Sequence, residues 1–213
     1  MSLSFPKVYP ILDAGVIPQA GRAEFLRRLG DELAEAGATL VEYRNKTGSD
    51  AELLADAAIL RAVLSAGTVK LILDDRADLV EEAGFDGVHV DAGDATPAEA
   101  RRMLGPDRIV GTYGGTETLL SGILKEPVDY LSVGPVGPTL TKQTTKSAIG
   151  VEGVRRLREQ AGPNAVLVAV GGVALETAPE ILAAGANVVG VSAAIFRAGD
   201  PAGEFRRWMK ALG

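Results

Sequence analysis

The chain of 213 residues has no cysteine and a single histidine. That excludes a disulfide scaffold, a thiolate nucleophile, a Cys-ligated zinc, an iron–sulfur cluster and any multi-histidine metal site within one chain. Aromatics make up only 5% of residues, so a core must be built mainly from Val, Leu, Ile and Ala. No apolar run reaches the roughly 18 residues of a transmembrane helix. The start, Met1-Ser2-Leu3-Ser4, lacks the charged region and apolar stretch of a signal peptide. Basic charge is also short: 22 Lys and Arg against 28 Asp and Glu give a net −6. This argues against a general nucleic-acid surface but allows a local basic pocket. A soluble, cytoplasmic protein with neither nucleic-acid nor membrane partners is expected. Glycine is in excess, 26 of 213 residues against about 7% usually.

Short apolar runs alternate with amphipathic stretches along the whole chain. Strands are predicted at Val8–Leu12, Thr39–Tyr43, Val69–Leu73, Gly87–Val90, Ile109–Thr112, Asp129–Val133, Ala165–Val170 and Asn187–Val191. Helices are predicted at Arg22–Ala36, from an Asp50 N-cap to Ser65, at Arg76–Ala83, from Thr96-Pro97 to Leu104, and at Thr116–Leu124, Val151–Gln160, Leu175–Ala183 and Pro201–Leu212. Continuous apolar strands such as Val166–Val170 are buried on both faces, as in a parallel sheet. Eight strand–helix units in a row predict an α/β protein, a single (β/α)8 TIM-barrel domain over residues 1–213. A doubly wound open sheet is the alternative. No composition shift marks a second domain.

A barrel of this type works at the C-terminal ends of its strands, so the residues after each apolar run are the informative ones. Glu42, Arg44 and Lys46 alternate onto one side of the second strand and its exit; the two cations there repel unless an anion or an acid neutralises them. Asp74-Asp75 follows strand three, and Asp94 follows strand four. Carboxylates from adjacent strand ends can share one Mg²⁺, which takes oxygen ligands plus substrate phosphates. They can equally cap helices, although Thr96 is better placed than Asp94 to do so. His89 is either a hydrogen-bonded interior residue or a catalytic one. After strand six comes a long loop, Gly134–Gly150, whose Thr139, Thr141, Lys142 and Lys146 offer hydroxyls and cations to a phosphate or pyrophosphate. Gly171-Gly172 and Ser192-Ala193-Ala194 expose backbone N–H groups after strands seven and eight, where many barrels hold phosphate. Glycines 93, 111, 114, 115, 134, 137, 171 and 172 fall at predicted strand exits, where backbone must approach ligands.

These motifs, from Glu42–Lys46 through Asp86–Val90, Asp94 and Gly134–Lys142 to Val168–Val173 and Val189–Ile195, resemble the thiamine phosphate synthase family over nearly the whole chain. The resemblance implies a transferase that joins 4-amino-5-hydroxymethyl-2-methylpyrimidine diphosphate to a thiazole phosphate, with Mg²⁺ helping the diphosphate leave. It implies that Arg44, Lys46 and Lys142 contact the diphosphate and that Asp75 and Asp94 hold Mg²⁺. Thr139, Thr141, Gly172, Val191 and Ser192 would then bind thiazole phosphate. Homo-oligomerisation is left open. The chain departs from the family at Glu42 (usually Gln), Asp74 (usually Asn), Asp91-Ala92-Gly93-Asp94 (usually Gly-Gln-Glu-Asp) and Tyr113 (usually Ser). Glu42, Asp74 and Tyr113 stand at substrate-binding positions, so an altered pyrimidine pocket is expected beside intact phosphate and metal sites. Two rival readings remain. One is a thiazole tautomerase-like isomerase, whose His after strand five is Gly115 here; the other is a non-catalytic phosphate-ligand-binding barrel.

Overall fold

Eight runs rich in Val, Ile and Leu form parallel strands that hydrogen-bond in chain order and close on themselves, β1 pairing with β8. The strands are β1 Val8–Asp13, β2 Leu40–Arg44, β3 Lys70–Asp74, β4 Gly87–Val90, β5 Ile109–Tyr113, β6 Tyr130–Val133, β7 Leu167–Val170 and β8 Val188–Val191. The computed structural model describes residues 5–65, 67–115, 117–138 and 147–213. The architecture is the expected (β/α)8 barrel; the doubly wound alternative is ruled out by the closed sheet.

The helices are α1 Arg22–Glu35, α2 Asp50–Val63, α3 Pro97–Leu104, α4 Glu117–Ile123, α5 Gly150–Ala161, α6 Ala178–Ala183, α7 Ala193–Phe196 and α8 Pro201–Leu212. Their apolar stripes, Leu26, Leu29 and Leu33 on α1 or Phe205 and Trp208 on α8, bury in the layer between helices and strands. Helix α3 begins with a full capping box: Thr96 accepts from the Glu99 amide and Glu99 accepts from the Thr96 amide. The cap of α2 is Ser49, not Asp50; Ser49 accepts from the Glu52 amide at 3.2 Å, and Asp50 is the first helical residue. The helix expected at Arg76–Ala83 is only a 3-10 turn, Ala77–Leu79. Ala77, Leu79, Val80 and Ala83 are buried, a spacing that an α-helix would also show, so the apolar pattern alone does not separate the two. Helix α7 and a 3-10 turn at Ala14–Val16 were not expected.

The strands carry a vertical gradient of polarity. On the face lining the barrel, alternate positions read Leu40, Glu42, Arg44 on β2, and Ile72, Asp74 on β3. On β6 they read Tyr130, Ser132. The lower layer is an apolar plug that includes Leu40, Ile72, Ile109, Val168 and Val188, with Phe5 edge-on to Tyr130 at 5.6 Å. The polar residues crowd toward the C-terminal mouth.

Candidate active site

A cavity of about 430 Å³ opens at that mouth. Glu42, Arg44, Asp74, Asp91 and Tyr113 line one part of its wall; Gly171, Gly172, Val191 and Ser192 line another. The sequence reading left open whether Arg44 and Lys46 are neutralised by an anion or by acids, and the structure shows acids. Arg44 is paired with Asp13 and stands 3.3 Å from Asp74. Lys46 is paired with Asp75 and is also 3.3 Å from Asp74. Burial lowers the Lys46 pKa, but the facing Asp74 and Asp75 outweigh it and leave the pKa raised. Asp75 adopts a left-handed backbone (φ 68°), the one non-glycine described residue with positive φ. Its amide donates to the His89 carbonyl at 2.7 Å, which fixes this bend at the exit of β3.

Burial, then the charge of Asp75, raises the Asp74 carboxyl to about 6. Burial, then Asp74, raises Glu42 to about 8. At pH 7 Glu42 is therefore mostly protonated. A neutral carboxylic acid, unlike a carboxylate, offers an O–H donor beside its acceptor, so Glu42 can donate a hydrogen bond to a ring as the glutamine of the resembled family would.

Along the floor of the cavity, lined by Tyr9, Glu42, His89, Tyr130 and Ser132, runs a buried chain of hydrogen bonds that the sequence did not reveal. Tyr9 donates to Glu42 Oε2 at 2.7 Å, and its oxygen lies 3.1 Å from that of Tyr130. Tyr130 lies 3.1 Å from His89 Nδ1, and His89 Nε2 is 3.3 Å from Ser132 Oγ. With Tyr9 donating to Glu42, one self-consistent assignment has Tyr130 donate to Tyr9 and His89 Nδ1–H donate to Tyr130. In a neutral imidazole, Nε2 then accepts from Ser132. His89 is thus hydrogen-bonded in the interior, stacked on Tyr130 at 5.5 Å. Strand alternation alone would have brought Tyr9, Tyr130 and Ser132 inward; what hid them was the ordinariness of tyrosine and serine in strands.

Several predicted residues fall together. Glu42, Arg44, Asp74, Tyr113, Gly172, Val191 and Ser192 all line the one cavity, and Lys46 braces the carboxylates beside it. Thr139, Thr141, Lys142 and Lys146 lie outside the described residues. Tyr113 reaches across to donate to the Gly134 carbonyl. A Cβ at Gly115 would sit 2.0 Å from the Tyr113 ring. Not all the glycines serve ligand approach. Gly111 lies within β5, where a Cβ would meet the Tyr130 ring at 2.0 Å, and Gly172 (φ 68°) is packed against Gly137 and Pro138.

No group of three or more metal-ligating His, Asp or Glu side chains occurs among the described residues. Mg²⁺ does not need one, since it binds through one or two carboxylates plus waters and substrate phosphates. Asp75 and Asp94 suit that role. Asp75 Oδ1 is buried without a hydrogen-bond partner, and the Asp94 pKa is raised by burial and then by Asp75, opposed by the bond Asp94 accepts from the Asp91 amide. Four carboxylates, Asp13, Asp74, Asp75 and Asp94, face two cations, so the cluster has room for added positive charge.

Fold and site together define a barrel enzyme that works at its C-terminal mouth with paired carboxylates and cations. Residues 8–195 match the family model of thiamine monophosphate synthase. A thiamine-phosphate synthase of Koribacter versatilis is 38% identical over 191 residues, covering 90% of this chain and 89% of the relative. One of Leptospira biflexa is 38% identical over 79% of this chain and 81% of its own. The thiamine phosphate pyrophosphorylase structure from Pyrococcus furiosus superposes with a TM-score of 0.80 at 28% identity, covering 97% of each chain. The chain belongs to the thiamine monophosphate synthase family and is a transferase of that kind. Among the described residues no helix is long and apolar enough to cross a membrane.

Proposed function

We propose that this enzyme condenses 4-amino-5-hydroxymethyl-2-methylpyrimidine diphosphate with thiazole phosphate, giving thiamine phosphate and pyrophosphate, with Mg²⁺ as the metal. The observation that carries the reading is the pairing of Arg44 and Lys46 with Asp74 and Asp75 at the rim of one cavity. It provides what the departure of a diphosphate demands: cations for the leaving oxygens and carboxylates for a metal. The C–O bond to the diphosphate breaks and its electron pair leaves with the diphosphate. The ring amino group spreads the positive charge of the remaining pyrimidinyl-methyl cation, and the thiazole nitrogen closes the new C–N bond.

Arg44, Lys46 and Lys142 bind the diphosphate in this scheme. Asp75 and Asp94 hold Mg²⁺, which when bound supplies positive charge to the leaving group. Neutral Glu42, with Asp74 and Tyr113, forms the pyrimidine end. Glu42 is aimed by the donor chain beneath it and offers an acid proton where relatives of this family offer an amide. Gly172, Val191 and Ser192, together with Thr139 and Thr141, receive the thiazole phosphate. Position 115 after β5 is glycine, so no acid–base side chain stands there, and the Tyr113 ring occupies the space beside it; this supports condensation over isomerisation.

The test is to mix the two phosphorylated pieces with Mg²⁺ and measure thiamine phosphate and pyrophosphate. Formation of both, in equal amounts, is expected. Isomerised thiazole alone, or binding of either piece without turnover, would instead favour the isomerase or the binding-module reading.

A further inference from the structure

We infer that Arg197 is a direct ligand for the phosphate of the acceptor substrate, and that it sets the enzyme's preference for a phosphorylated acceptor. The inference rests on the proposed condensation for the identity of that acceptor. Arg197 lines the cavity on the wall formed by Gly171, Gly172, Ser192, Ala193 and Ala194. Its backbone is held in place: the Arg197 amide donates to the Ala193 carbonyl at 3.1 Å and the Phe196 amide to the Ser192 carbonyl at 2.9 Å. Buried Ile195 and Phe196 anchor the same turn. The guanidinium therefore swings from a fixed point one turn beyond the Ser-Ala-Ala segment.

Charge balance singles out this residue. Arg44, the other cation lining the described cavity, is neutralised by Asp13 and Asp74. Arg197 has no carboxylate partner among the described residues. Asp74 and Asp91, also in the lining, would repel an arriving phosphate. On the Arg197 wall, by contrast, Ser192 Oγ is buried with no hydrogen-bond partner. A hydroxyl without a partner and an unneutralised guanidinium on one wall are complementary to a phosphate monoester: the serine donates once and the guanidinium donates through two N–H groups in a fork. The exposed position explains why nothing in the fold requires Arg197; it matters only when an anion arrives.

The experiment compares wild type, Arg197→Ala and Arg197→Lys in steady-state condensation, varying each substrate separately and offering the unphosphorylated thiazole alcohol as an alternative acceptor. In Arg197→Ala, KM for thiazole phosphate should rise about 10- to 100-fold, the usual loss for a charge-assisted hydrogen bond. KM for the pyrimidine diphosphate should stay within about twofold, and the preference for the phosphorylated over the unphosphorylated acceptor should shrink by the same factor as the acceptor KM rises. Arg197→Lys should recover part of the loss. An unchanged acceptor KM in Arg197→Ala, or equal rises for both substrates, overturns the assignment. In parallel, inorganic phosphate is titrated into wild type and Arg197→Ala by calorimetry. Weaker phosphate binding in the variant is expected, and equal affinity overturns the assignment. If no thiamine phosphate forms at all, the proposed reaction fails, while the titration still decides the role of Arg197.

Discussion

Glu42 holds at pH 7 a proton that an exposed glutamate would have lost. In the unfolded chain it ionises near 4.5, and in the barrel near 8. Its contribution to stability is thus fully present below pH 4.5 and is lost as pH rises through 8; Asp74, raised from 3.8 to about 6, acts with the same sign at lower pH. Without added divalent ions, wild type should therefore lose stability between pH 5 and 8. Glu42→Gln should flatten that loss by about 2–4 kcal/mol, measured by urea denaturation at both pH values. The same variant should keep its KM for the pyrimidine diphosphate above pH 8, where that of wild type climbs. Asp94→Ala is the complementary case. It removes a carboxylate that supports little packing, so kcat with Mg²⁺ should fall about 100-fold, roughly 2.7 kcal/mol, while the melting temperature hardly moves. Retention of normal turnover would remove Asp94 from the metal site. The sequence made Glu42, Asp74 and Asp94 visible as acids at strand exits. It could not show their protonation, because burial and mutual repulsion arise only once β2, β3 and β4 lie side by side.

At the scale of elements, caps and close approaches make different predictions. Thr96→Ala should cost about 1 kcal/mol through loss of the α3 capping box, with turnover unchanged, since α3 lies on the outer ring. Gly111→Ala should cost about 1–3 kcal/mol by overpacking, because the new Cβ lands on the Tyr130 ring. It should also lower activity by shifting Tyr130 and the donor chain that reaches Glu42. Chemical denaturation and steady-state kinetics on both variants separate the two cases. The strands and most helices were legible from apolar periodicity, and α8 from its Pro201 start to Leu212. The failures have local causes. Within residues 76–83 the buried Ala77, Leu79, Val80 and Ala83 have a spacing that suits an α-helix although only a 3-10 turn forms, and α7, four residues long, is too short to show any period. Arg22, Tyr43 and Asp56 form a buried polar cluster joining α1, β2 and α2. No linear pattern announces it, because its members are far apart in the chain.

For the whole molecule, the absence of cysteine and the closed parallel sheet mean that the fold stands on its apolar core and its backbone ladders. Chelation should stop turnover and leave the far-ultraviolet circular dichroism intact. Mg²⁺ at ten times its Kd adds only about 1.4 kcal/mol, or about 3 °C in melting temperature. A large loss of helix signal on chelation would show that the metal holds the structure together rather than serving the chemistry. The net −6 likewise has a local meaning, since much of the acidity at the mouth is committed to holding Arg44 and Lys46 in place.

The hydrogen-bond chain from Ser132 to Glu42 draws its members from β1, β2, β4 and β6. Each member is the hydrogen-bond partner of the next, so exchanging one alone leaves its neighbour without that partner. Substitutions at these five positions are therefore expected to couple: Tyr9→Phe and His89→Gln, each harmful singly, would show strongly non-additive effects when combined. The floor of the barrel thus behaves as a unit: a change of the acid at position 42 is expected to be felt by residues on the far side of the barrel.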